Sequence, residues 1–190
     1  PVRSVVVPLQ NARLLISPGS CLEESKLFEA VVVTNLVAPS LLNGAGIPKA
    51  GRVFPSANIW RPADLSEKSW PFGAELPLIA LEGMPSIQEF LFVHKASRTL
   101  IVTDFLFNLT NPKGLGAWII LNLFGTYKRL GISSFFLRGV KDRQAFERSL
   151  GRLMAHDFDR IVVSHGDIVP QGGRQLLLGE LERRGLTPRA

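Results

Sequence analysis

Two apolar runs, residues 90–93 (FLFV) and 100–102 (LIV), flank the short polar turn Lys95-Ala96-Ser97-Arg98. β-Branched and aromatic residues on both sides of such a turn predict a hairpin within residues 87–104. The runs are continuous rather than alternating, which predicts cover on both faces of the hairpin. Upstream, short strands are predicted over 4–9 and 12–17, joined at Gln10-Asn11, followed by an amphipathic helix over 22–30. Residues 30–33 (AVVV) predict a buried strand that runs into the polar stretch 34–40. Residues 43–51, rich in Gly and Pro, read as loop, and 52–60 as one interrupted strand or two brief ones. A surface excursion over 61–73 precedes a buried strand at 76–81 and a turn at 82–86.

Beyond Asp104 the pattern changes. Residues 105–111 read as extended or irregular until Pro112-Lys113-Gly114, after which 116–129 form a helix apolar on most sides. Phe146, Leu150, Leu153 and Met154 fall at i, i+4, i+7 and i+8, one face of a helix over 142–156 capped by Asp142. Arg143, Glu147, Arg148 and Arg152 take its solvent side. A strand over 159–163 ends in Ser164-His165-Gly166-Asp167, and a last helix over 175–184 stops at Gly185. Strands in two groups, each followed by helices and without an internal repeat, predict an α/β protein, and 190 residues suit one domain over 1–190.

Composition narrows the function classes. A hydrophobic fraction of 46% excludes a disordered chain. Cys21 is the only cysteine, so no intramolecular disulfide forms, and with no signal peptide visible the protein is expected in the cytoplasm. The net charge of +6 is thinly spread, and no aromatic-interleaved basic stripe marks a specific nucleic-acid partner. The most apolar stretch, 115–124, has about half the length a membrane span needs, so the chain is not expected to be transmembrane. The helix over 116–129 is expected to bury Trp118 and Phe124 against the domain or in a homodimer.

Candidate chemistry sits at the strand ends. Asp104 follows three buried aliphatics, and His165 follows a second buried run. With residues 89–108, 35–43 and 158–167 as the carrying segments, the chain resembles the metallo-β-lactamase-like fold, most closely an uncharacterised bacterial family within it. The resemblance implies a four-layer αββα sandwich. It also implies a metal-binding loop of the form His-x-His-x-Asp-His, where this chain carries Asn35, Val37, Pro39 and Ser40. Met84 replaces the next ligand, a histidine. Asp104 matches the bridging aspartate and His165 the final histidine.

Two protein ligands fall short of the three that hold a catalytic zinc. The resemblance therefore implies a degenerate metallo-hydrolase-like protein with no resident cofactor, its cleft lined by Asn35, Pro39, Ser40, Met84 and Asp167, holding a small molecule or a protein. One alternative is a hydrolase with a single weakly bound zinc on Asp104 and His165, with Asp167, Asn35 or Asn43 as a third ligand. Another is a non-enzymatic interaction module that uses the apolar helix over 116–129. Whether the chain is an enzyme stays open at the level of sequence.

Overall fold

The computed structural model describes residues 3–19, 31–112 and 114–189; Cys21 and the helix predicted over 22–30 lie outside the described residues. The predicted hairpin is present as β6 (Phe90–His94) and β7 (Thr99–Asn108), antiparallel through Phe92 opposite Ile101 and Val93 opposite Leu100. Both strands are internal. β6 also pairs with β5 (Leu78–Ala80), and β7 pairs in parallel with β9 (Arg160–Gly166) and antiparallel with the short β8 (Leu130–Gly131). Alternation along the pleat then explains the continuous apolar runs. Leu91, Val93, Leu100 and Val102 face a helical layer, whereas Phe92 and Ile101 face the other sheet.

That other sheet runs β1 (Val5–Pro8), β2 (Arg13–Ile16), β3 (Asn35–Val37) and β4 (Asn58–Trp60) in order, antiparallel for the first pair and parallel thereafter. Leu14, Ile16 and Val37 meet Phe92, Ile101 and Trp70 in the core between the sheets. Leu15 and Leu36 point outward and pack on Ile47 and Ala50 of α1 (Ile47–Val53). On the far side, α3 (Ser134–Arg138), α4 (Arg143–Met154) and α5 (Gly173–Arg183) cover the hairpin sheet through Phe136, Phe146, Leu150, Leu177 and Leu181. Three cores separate four layers, giving the αββα sandwich that was predicted.

Several elements differ from the expectation. The loop predicted over 43–51 instead begins at the end of a 3-10 turn, Leu41–Asn43, and takes in most of α1. Pro48 stands in the first turn of α1, where a missing N–H costs nothing. The strand predicted over 30–33 lies instead at Asn35–Val37, where β2 and β4 offer parallel partners on both sides; Val32 is 69% exposed. Ladder pairing outweighed local β propensity. Of residues 52–60 only Asn58–Trp60 form a strand.

The helix predicted over 116–129 is the shorter α2 (Leu115–Phe124), stopped by Gly125 at φ 71°. Trp118 is 49% exposed, so the burial expected for it is absent within one chain. Phe124 is half-buried, its ring 6.5 Å from that of Phe135. Glu147, expected on the solvent side of α4, is buried and paired with Arg143 and Arg189.

Candidate functional site

β7 runs past Asp104, with a register shift against β9 between Val102 and Phe107. Glu89, just before β6, holds that irregularity. Its Oε1 accepts hydrogen bonds from the backbone amides of Thr103 (3.1 Å), Asp104 (3.0 Å) and Phe105 (3.0 Å) and from Thr103 Oγ1 (3.0 Å). Three successive amides aimed at one oxygen require a bulged strand. The carboxyl is fully buried, and Oε2 has no hydrogen-bond partner among the described residues. Loss of water pushes its pKa from 4.5 to about 8, and the charge of Asp104 adds to the effect, while the Phe105 and Thr103 donors oppose it. Burial and the neighbouring Asp104 charge thus favour the protonated carboxyl of Glu89.

The bulge presents Asp104 to the loop after β3. Asp104 Oδ2 accepts from Ser40 Oγ at 3.2 Å and from Asn43 Nδ2. Ser40 Oγ also caps the 3-10 turn by accepting from Leu42 N, and accepts from Asn43 Nδ2 at 2.7 Å. Asn43 Oδ1 accepts from Ser17 Oγ at 2.7 Å. On the other side, Asp104 Oδ1 lies 3.5 Å from His165 Nε2, an ion-pair contact when the imidazole is protonated. The His165 ring stacks on Phe107 with centroids 5.0 Å apart and planes 15° from parallel. Gly166 follows with φ 110°, and a Cβ there would lie 2.2 Å from the Asn108 carbonyl oxygen. Only glycine lets the end of β9 press this close to β7.

Asp104, Ser40 and His165 thus come together. Pro39 joins them through its backbone, its carbonyl accepting from Phe90 N at 2.8 Å. Asn35 is spent elsewhere, accepting from Trp60 Nε1 and donating to Thr34 Oγ1. Met84 is buried in the core between the hairpin sheet and the helices. Asp167 is exposed; its carboxylate accepts from Thr110 Oγ1 and its main chain is tied to Asn108. Sequence reasoning passed over Ser17 and Glu89. An acid opening an otherwise apolar strand was the available signal for Glu89; Ser17 gave none, since its partner lies on a distant loop.

A cavity of about 560 Å³ opens beside His165, walled by Phe107, Leu109, Leu121, Phe124 and Phe135, with Thr126 and Ser133 as further polar edges. Its size and mostly apolar lining with a few polar groups are those of a small-molecule site.

No protein-family model matches the chain, and no curated protein matches its sequence. Solved structures do match it. The Flv1 flavodiiron core from Synechocystis sp. PCC6803 superposes with a TM-score of 0.63 at 12% identity over 95% of this chain. A metallo-β-lactamase from Pontibacter korlensis gives 0.57 at 14% identity, covering 96% of this chain and 87% of its own. The chemotaxis sensor ODP, determined as a peroxy diiron species, gives 0.60 at 15% identity, covering 94% and 86%.

The fold is that of the metallo-β-lactamases.

The chain spans about half (52%) of the flavodiiron core's length, and at these identities the likeness is one of fold. The donor set of this metallo-β-lactamase-like chain does not fit a metal pair. Around Asp104 stand a hydroxyl, an amide that presents its N–H₂ side, and one imidazole. Among the described residues no group of three or more His, Cys, Asp or Glu is placed to hold a metal ion. Two divalent cations here would face a single carboxylate, leaving most of their charge uncompensated.

Proposed function

We propose that this chain is a metallo-β-lactamase-fold protein in which protein hydrogen bonds have taken over the position of a dinuclear metal centre, and that it binds an apolar small molecule in the cavity beside His165. The observation that carries the reading is the commitment of Asp104: Ser40 and Asn43 occupy one oxygen, and His165 faces the other. Oδ2, already accepting from two donors, has little left for a cation, and Oδ1 alone offers a single ligand atom beside His165. What the residues do is hold and orient. Ser17, Asn43 and Ser40 fix the loop after β3 against Asp104, and Asp104 fixes His165 at the cavity wall, where the imidazole offers a polar contact to an otherwise apolar ligand.

Metal analysis of purified protein, with thermal stability measured with and without zinc, tests the first half. The expected result is substoichiometric metal and an unchanged midpoint. Stoichiometric zinc lost on His165→Ala would instead support a mononuclear site on Asp104 and His165, the second reading. The cavity is tested with the apolar fluorophore N-phenyl-1-naphthylamine. Wild type is expected to bind it, and Leu121→Trp, which fills the cavity from α2, to lose binding while staying folded. A wild-type protein that leaves the probe free in water overturns the cavity as the binding site.

A further inference from the structure

α2 is apolar on both sides. Its inner side, Leu121 and Phe124, walls the cavity. Its outer side leaves Leu115, Trp118, Ile119 and Leu123 exposed by 72%, 49%, 51% and 71%, and Phe135 of α3 adds a ring 62% exposed. The Phe124 and Phe135 rings are neighbours, so the two elements form one patch. A contiguous apolar surface of this kind in water marks an interface.

Charge decides what covers it. Between Phe105 and Lys141 the only charged residues are Lys113, Lys128, Arg129, Arg138 and Lys141, all positive. The last four are exposed. A second copy docked through the same face would set two all-positive segments against each other, since a two-fold interface pairs each patch with itself. An anionic lipid surface satisfies both features: exposed apolar side chains enter the acyl boundary, and the cations meet headgroup phosphates. Trp118 and the half-buried Tyr127 are of the types that favour the headgroup level. α2, at ten residues, is about 15 Å long and lies in such a surface rather than through it. Among the described residues no helix is long and apolar enough to cross a membrane.

We infer that the outer face of α2, together with Phe135, docks this protein on an anionic lipid surface. The inference does not depend on what fills the cavity.

Flotation of the full chain with phosphatidylcholine vesicles, with and without phosphatidylglycerol, is the test. The chain is expected to float with the anionic vesicles, to be released by salt, and to show a blue shift of Trp118 fluorescence on binding. Trp118→Ser with Leu123→Ser, both at exposed positions, should lower partitioning about tenfold or more, as should Lys128→Glu with Arg129→Glu. Absence of flotation, or equal flotation with uncharged vesicles, overturns the inference. So does a concentration-dependent dimer that fails to float and that the Trp118→Ser, Leu123→Ser pair dissociates, because the occupant is then a second copy.

Discussion

Glu89 gives one residue a measurable hold on the whole stability curve. Its pKa is about 8 when folded and near 4.5 in an unfolded chain, so the folded state binds the extra proton between those values. Stability that Glu89 supplies is fully present below about pH 4.5 and is lost as pH rises towards 8, with a limiting slope of about 1.4 kcal/mol per pH unit. Glu89→Gln keeps an acceptor for the amides of residues 103–105 and removes the titration. Chemical denaturation across this range should show the variant with a flatter profile and greater stability than wild type at pH 8. Parallel profiles for the two proteins would mean that Glu89 is already ionised in the fold. At this scale the sequence was partly legible. Asp104 and His165 stand out because each follows a buried run, whereas the network around them is built from Ser17, Ser40 and Asn43, types whose side-chain bonds are usually local. Met84 and Asn35, placed in the cleft by the resemblance, turn to a core and to Trp60 because packing and the indole N–H claim them first.

Between elements, the end of β9 against β7 is the contact that sets the Asp104–His165 distance. Gly166→Ala would force a Cβ into the Asn108 carbonyl at a positive φ, with an expected loss of roughly 3 kcal/mol and a displaced His165. Denaturation midpoints and the His165 imidazole resonances check both parts; an unperturbed imidazole signal would mean that the strand ends shift without moving the site. A second joint fixes α2. Arg184 of the α5 cap donates to the Phe124 carbonyl at 3.0 Å and to that of Ile132, and its Nε bonds the buried Glu180 at 3.0 Å. Glu180 in turn accepts from Ile132 N at 2.8 Å. Arg184→Met should cost about 1–2 kcal/mol by leaving the Phe124 and Ile132 carbonyls without their donor, Arg183 still holding Glu180, and should raise hydrogen exchange in α2 and β8 before it does so in β6. The clamp was not legible from sequence, since Glu180, Arg183 and Arg184 at helical spacing read equally well as a solvated face. α1 was missed for the opposite reason: its Gly and Pro content signals loop, while two apolar positions, Ile47 and Ala50, suffice to seat a short helix on β2 and β3.

For the molecule as a whole, the layered architecture is what the hydrophobic pattern specified most firmly, because a hairpin apolar on both faces demands material on both sides. The same hairpin carries a consequence for how the chain assembles in time. β6 and β7 are joined by a four-residue turn and close early, but the parallel partner of β7 begins at Arg160, opposite Thr99. Until β9 is made and docks, the long strand β7 has an open flank of unpaired N–H and C=O groups, the kind that recruits foreign strands. In the finished fold Arg3 reaches across to bond the Ser164 and Val163 carbonyls, so closing β9 itself draws on the opposite end of the chain. Contacts this distant in sequence slow folding. Pulse-labelled hydrogen exchange during refolding should find β6 and β7 amides that face each other protected ahead of those shared with β9. The waiting hairpin, rather than the finished protein, is the species most exposed to aggregation, and raising the protein concentration during refolding should lower the yield through it.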